Sequence, residues 1–376
     1  MYGPIHQTLT DILLDDIAEL ETLTNQSAIE RKQLEIAELR DELRKIRKVF
    51  IPDHIKAILD DKDGKVLIFF SGGKDSVAMS TYLHFTLGIP WDRMELWHHE
   101  IDGAGEAIFD WPCTPSYCQS FADAFNAPLL FSYREGGIAR EIDRKNEGLQ
   151  DVLFQEVPGG PFIRLKSKDG NSTRGKFPAV TADLRTRWCS PVVKIDVGGR
   201  AITNSTRFKR GNFLVCSGER REESKNRSTY DLTEPYRAMT KERNIHQWRP
   251  VIEWTEEEVW NEYAKHLIQP HPCYELGYSR CSCFTCIFLG ANGWASTADL
   301  SPERVDWFDK KEQTTGFTLY HKMTIREKVT KGKSFVPPAM RERWGAEALG
   351  KFTSPIILDT FTLPAGAFGT DSAGSV

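Results

Sequence analysis

The chain has 376 residues, 40% apolar and 27% charged, with a formal net charge of −4, the profile of an ordinary globular protein. No run of about 18 apolar residues occurs, so no membrane-spanning helix is expected. The opening Met1-Tyr2-Gly3-Pro4 lacks the basic-then-apolar pattern of a secretory signal, which makes the cytoplasm the expected location.

Pattern divides the chain into a helical arm (1–52), an α/β domain (53–254), a helical, cysteine-rich C-terminal region (255–363) and a small, polar tail (364–376) expected to be disordered. Residues 5–50 read as helix, ended by Pro52. Ile36, Leu39, Leu43, Ile46 and Phe50 step by three and four, a short seam that suits packing on its own domain or a homodimer through the arm. Lys65–Phe70 is an apolar run suited to a strand buried on both faces. A glycine loop and a helix over 76–87 follow, then a strand over 94–98, a helix over 116–126 and a strand over 129–133. Strands alternating with helices predict a parallel sheet whose ligands sit at the strands' carboxyl ends.

Residues 134–180, rich in Gly, Lys and Arg, read as an insertion or mobile flap. A helix is expected over 181–194, bent near Pro191, and a buried strand over 213–217. Thr255 followed by Glu256, Glu257 and Glu258 marks a helix start. Arg134 to Arg249 holds 24 Lys/Arg against 15 Asp/Glu, so the remainder of the chain is acidic. A basic middle segment fits contact with phosphates, and equally an ordinary solvated surface.

Ser71-Gly72-Gly73-Lys74-Asp75-Ser76 lies between the first strand and its helix. Two glycines allow a tight turn whose N–H groups converge on an anion, and the helix begins there with its positive end. The spacing is not that of a Walker A loop. Farther on, Arg220, Arg221 and Arg227 follow Gly218 at the end of a strand, where guanidinium groups suit phosphate or sulfate. Their alternative is a solvated charged helix.

Eight cysteines without an export signal are not expected to form disulfides. Cys273, Cys281, Cys283 and Cys286 crowd one stretch, and Cys283-Phe284-Thr285-Cys286 has a metal-clip spacing. A [4Fe–4S] cluster, structural Zn2+ and free thiols all remain open. Cys113 and Cys118 read as core or loop residues.

The hexapeptide after an apolar strand resembles the signature of the PP-loop ATP pyrophosphatases and the related phosphoadenosine phosphosulfate (PAPS) reductases. Residues 218–227, 248–255 and 271–277 resemble the reductase branch, and the likeness spans about residues 60–290. It implies an α/β fold: a parallel-sheet PP-loop (adenine nucleotide α-hydrolase-like) domain, with the helical arm and the cysteine-rich lobe added. It implies nucleotide binding by Ser71, Gly72, Gly73, Lys74, Asp75, Ser76, Gly218, Arg220, Arg221 and Arg227, with Lys74, Asp75 and Arg220 in catalysis.

Cluster-bearing family members pair an upstream cysteine segment, similar to Arg187-Trp188-Cys189 here, with a downstream Cys-x-x-Cys. By that likeness the ligands are Cys189, Cys273, Cys283 and Cys286, with Cys281 as the alternative fourth. Those relatives show two adjacent upstream cysteines, and this chain has one.

The activity so implied is ATP cleavage between the α- and β-phosphates with Mg2+, for which Asp75 is the candidate ligand. AMP would pass to an acceptor, expected to be nucleic acid, and activate it for sulfur supplied by a cysteine desulfurase. The closest type is the ATP pyrophosphatase component of DNA phosphorothioation systems. A sulfonucleotide reductase is the alternative, but its nucleophilic cysteine near the C-terminus has no counterpart after Cys286. A non-catalytic nucleic-acid-binding assembly protein is a third reading, resting on composition alone.

Overall fold

The structure, a computed structural model, describes residues 4–369 except 168, 169 and 182. The arm is a hairpin rather than one helix. Helix α1 (Pro4–Thr22) and helix α2 (Gln26–Lys48) part because Asn25 is extended and its side chain accepts the Ala28 N–H, an N-cap. Ile36 and Leu43 of the seam are buried. Arg44 and Lys48 fasten the base of α2 to the body, reaching the Glu258 carboxylate at 2.8 and 2.6 Å.

After α3 (Asp53–Asp60) come β1 (Lys65–Phe69), α4 (Lys74–Thr81), β2 (Met94–Glu100), α5 (Thr114–Phe125) and β3 (Leu129–Arg134). Helix α4 continues through a wider π turn to Thr86. The next elements are α6 (Gly137–Asp143), β4 (Val152–Gln155), β5 (Phe162–Leu165), α7 (Asp196–Asn204), β6 (Gly211–Cys216), β7 (Thr233–Pro235) and β8 (Arg243–Trp248). All eight strands join one sheet in the order β5-β4-β3-β2-β1-β6-β8-β7. From β3 to β8 the neighbours run parallel; β4, β5 and β7 add antiparallel edges.

Strand β1 sits at the centre. Val66 and Ile68 enter one core and Leu67 the other, so the apolar run is buried on both faces as its pattern predicted. Strands β1, β2 and β3 build the sheet outward in one direction. The chain then crosses back under α7 to place β6 on the other side of β1. The β1–β6 gap is therefore the switch point where such sheets open a ligand crevice.

The C-terminal region contributes α8 (Glu256–His266), α9 (Pro272–Glu275), α10 (Ala291–Leu300), α11 (Pro302–Thr315), α12 (Ile325–Thr330) and α13 (Pro338–Ala348). Thr255 caps α8 in a reciprocal pair with Glu258, as its sequence predicted. Trp260, Tyr274, Trp294 and Phe308 share the core of β1 and α4, so this region packs on the sheet.

Three expectations need correction. The 134–180 segment is not a detached flap, because Val152–Gln155 and Phe162–Leu165 extend the sheet edge from β3. The helix expected over 181–194 begins later, at Cys189, and runs through a π turn at Pro191–Ile195 into α7. Before it, the Asp183 carboxylate takes the Arg185 N–H and guanidinium and closes a local turn instead. The tail is ordered through Gly369: the Gly366 N–H donates to the Tyr274 carbonyl at 2.7 Å. A Cβ on Gly366 would lie 2.1 Å from the Tyr278 carbonyl oxygen, so glycine is required for that approach. Residues 370–376 lie outside the described residues.

Candidate functional site

The phosphate loop leaves β1 at Phe70 and enters α4 at Lys74. Gly72 has φ +73°, a left-handed turn, and a Cβ there would meet the Tyr117 ring and Cys118 Sγ at 3.1 Å. The loop is braced internally: the Gly73 N–H donates to Ser71 Oγ at 3.3 Å and the Ser76 hydroxyl donates to the Gly73 carbonyl at 2.9 Å. Gly73 caps α4 without a side chain, leaving the positive end of the helix facing the crevice.

Gly218, at the end of β6, closes the other side. A Cβ there would stand 2.7 Å from the Asp75 carbonyl carbon and 3.0 Å from the Ser76 nitrogen. The close approach that demands glycine is thus to the loop itself. Gly218→Ala is expected to cost about 1–3 kcal/mol of stability, the usual scale of overpacking, and to weaken nucleotide binding by displacing the loop. Urea unfolding and a nucleotide titration of one preparation check both effects.

Lys74 is buried. Its backbone N–H donates to the Tyr274 hydroxyl at 2.8 Å, and its ammonium donates to the Ser279 carbonyl at 2.9 Å and pairs with Glu256 at 3.2 Å. Asp75 receives the Arg220 guanidinium at 2.6 Å. Burial opposes ionisation of Asp75, but Lys74 and Arg220 outweigh it and hold the carboxyl below its ordinary value. Arg220 is 3% exposed and also pairs with Glu222 at 2.7 Å, so it stands behind Asp75 rather than in the crevice wall. Arg221 pairs with Glu253 and donates to the Tyr230 carbonyl, again away from the crevice. Neither follows the helix of the alternative reading, since Arg221–Glu223 and Arg227–Thr229 are single 3-10 turns.

The crevice has a volume of about 550 Å³. Ser71, Gly73, Lys74, Asp75, Ser76 and Gly218 line one end, with Arg227 and Tyr230. Arg227 and Arg280 converge on the Glu223 carboxylate there. Arg227→Ala should lower nucleotide affinity by about 1.5–3 kcal/mol, the scale of a hydrogen bond to a charged group, with little change in the unfolding midpoint.

Arg187, Lys194 and the thiols Cys189, Cys283 and Cys286 also line the crevice, and Cys281 lines it beside Gly73 of the loop. Arg280 and Lys194 carry no motif of their own. Their only sequence signal is adjacency to the cysteines, which drew attention to sulfur rather than to charge.

The thiols form two sets. Cys189 and Cys283 are pushed up by burial, and Cys286 acts on both. Cys273 is fully buried and belongs elsewhere: its Sγ, Cys281 Sγ and a His271 ring nitrogen all lie within 4.8 Å of one another. The Cys273 thiol, with His271, holds Cys281 well below the usual thiol value against its burial. The structure therefore brings Cys273 together with Cys281 and His271, and Cys189 together with Cys283 and Cys286. His271 belongs to the 271–277 segment of the family likeness but is no predicted ligand, because a lone histidine before Pro272 has no ligand spacing of its own.

At the end of β2, burial raises the Glu100 carboxyl to about 7, helped by Asp110 and Asp102. A raised folded-state value means the folded chain holds this proton more tightly than the unfolded chain does. Its contribution is complete below the ordinary value of 4.5 and is lost as pH rises through about 7. Glu100→Gln should flatten the decline of thermal stability across that window, read from melting curves at stepped pH.

Residues 163–288, about a third of the chain, match the sequence model described as the phosphoadenosine phosphosulfate reductase domain, so this stretch is PAPS reductase-like. A protein of Escherichia phage 186, described as an uncharacterized 37.8 kDa protein in the gpa 5′ region, is 29% identical over 147 residues, 39% of this chain. The match spans 41% of that relative's length. Among solved structures, Candida glabrata FMN adenylyltransferase with FAD and inorganic pyrophosphate aligns at TM-score 0.35 and 9% identity, covering 76% of this chain and 74% of that one. Its complex with ATP aligns at TM-score 0.34 and 10% identity, covering 76% and 72%. No helix among the described residues is long and apolar enough to cross a membrane.

Proposed function

We propose that the crevice between β1 and β6 binds ATP and that the protein is a PP-loop ATP pyrophosphatase which adenylates an acceptor. The observation that carries this reading is the phosphate loop at the sheet's switch point, with the positive end of α4, whose N-cap Gly73 offers no side chain, and the ammonium of Lys74 beside it. An acceptor oxygen attacks the α-phosphorus, the bond to the bridging oxygen breaks, and pyrophosphate leaves into the loop. Lys74 exchanges Glu256 and the Ser279 carbonyl for the departing phosphates, and Arg227 with Arg280 adds charge opposite. Mg2+ would supply further neutralisation. Asp75 as its ligand must share its carboxylate with Arg220, which favours outer contact through water.

In this reading the acceptor is nucleic acid: the persulfide sulfur of a cysteine desulfurase displaces AMP from the adenylate, and a second thiol then cleaves the S–S bond to the carrier and leaves as its disulfide, as in DNA phosphorothioation. Support comes from the crevice lining away from the loop, where Arg187 and Lys194 present cations beside the thiols Cys189, Cys283 and Cys286. An iron–sulfur cluster would draw on Cys189, Cys283 and Cys286, the thiols of one wall, and would supply electron transfer or sulfur handling there. The test is pyrophosphate release from ATP, with and without DNA or RNA. Release that rises with one nucleic acid supports the reading, and ATP left intact with either refutes it.

The reductase-domain match at residues 163–288 favours a second reading, sulfonucleotide reduction. Among the thiols that line the crevice, Cys281 stands beside the phosphate loop: its Cβ would meet a Cβ on Gly73 at 3.3 Å. Turnover of PAPS with a dithiol, in place of pyrophosphate release from ATP, distinguishes it.

A further inference from the structure

We propose a mononuclear metal site, of the zinc class, on His271, Cys273 and Cys281, with Cys113 as the fourth donor, separate from the thiols Cys189, Cys283 and Cys286. The three first-named residues already hold their donor atoms within 4.8 Å of one another. A tetrahedral ion with bonds of about 2.0–2.3 Å to nitrogen and sulfur spans that separation after small side-chain shifts. A four-iron cube sets its thiolates at separate corners, wider apart than the donors of one ion, so this compact trio suits an ion rather than a cluster.

Cys113 Sγ lies 3.4 Å from His271 Nε2, and His271, Cys273 and Cys113 are all fully buried. Two or three thiolates and one imidazole, enclosed by protein, are the donor set of structural zinc. Ligation through Nε2 requires the hydrogen on Nδ1, so the contact to Nδ1 from the Cys273 N–H, 3.2 Å long, is given up when the ion binds.

The position explains what the ion would do. The Tyr274 hydroxyl, next to Cys273 in the chain, accepts the N–H groups of both Lys74 and Cys281, at 2.8 and 3.2 Å. Cys113 sits at the start of α5, and a Cβ on Gly73 would touch Cys281. One ion would thus tie α5, α9 and the 281 loop together directly beneath the phosphate loop. The site is independent of the adenylation reading, because its donors and its test involve no nucleotide.

The test uses the full-length protein, with metals measured by mass spectrometry after gel filtration. Zinc-stripped protein is then titrated with Co2+, whose tetrahedral thiolate complexes absorb strongly in the visible. The expected result is one zinc per chain and a tetrahedral cobalt spectrum. Cys281→Ser should weaken the affinity at least tenfold, and Cys189→Ser should leave it unchanged. Differential alkylation of wild-type protein makes the test independent of whether the variants fold. With zinc bound, Cys113, Cys273 and Cys281 should be protected and then become reactive on chelation. Wild-type protein that binds neither ion overturns the site. So does a cobalt spectrum that survives Cys281→Ser and is lost in Cys189→Ser, or zinc-dependent protection confined to Cys189, Cys283 and Cys286.

Discussion

Lys74→Ala is expected to lower pyrophosphate release from ATP by about 100-fold or more, the scale of losing one preorganised charge at a developing anion. The ammonium is buried at the mouth of α4, and its present partners are a carbonyl and the carboxylate of Glu256. Neither belongs to the apolar core. The fold should therefore survive, with Glu256 relaxing into solvent. Glu256→Gln makes the complementary case, since it frees Lys74 from a competing carboxylate and should tighten nucleotide binding. Steady-state release, paired with circular dichroism of each variant, separates a lost charge from a lost fold. Unchanged turnover in Lys74→Ala would remove the phosphate loop from the mechanism.

Arg220→Ala is expected to act on stability first, at about 3 kcal/mol, the lower end of the range for breaking a buried ion pair. The lower end applies because the Asp75 side chain keeps 23% of its exposure and water can screen it in part. Removal of the guanidinium takes the ion-pair partner from Asp75, while Glu222, half exposed, keeps the Glu256 N–H. Because the Asp75 carboxyl is held below its ordinary value, the pair's contribution is present above pH 3.8 and is lost as pH falls through the folded-state value. The variant's deficit should accordingly shrink in acid. Chemical denaturation at neutral and acid pH measures it. A variant as stable as wild type but weaker for nucleotide would put Arg220 back in the crevice.

The sequence made the central strands and the loop legible because each carried a local signal. An apolar run bounded by glycine defines β1, and a capping pair defines α8. The edges lacked such signals. Strand β7 is three residues long and ends at Pro235, and β8 carries His246 and Gln247 within its six residues. Strand β8 is stabilised by pairing on β6, and β7 by pairing on β8, a tertiary effect that overrides local preference. The same limit applies to the site. Gly218 and the loop were visible as motifs, but Arg220 and Arg227, seven residues apart, take opposite roles that only burial reveals. Likewise the spacing of Cys273, Cys281, Cys283 and Cys286 could not say which sulfurs face each other, because α9 turns Cys273 toward His271 and Cys281.

The most direct measurement is an equilibrium titration of the purified chain with ATP, competed by pyrophosphate, in wild type and Lys74→Ala. The account predicts saturable binding of one nucleotide per chain, displacement by pyrophosphate, and loss of both in the variant. ATP that fails to bind, or binds equally well without the Lys74 ammonium and ignores pyrophosphate, would contradict it.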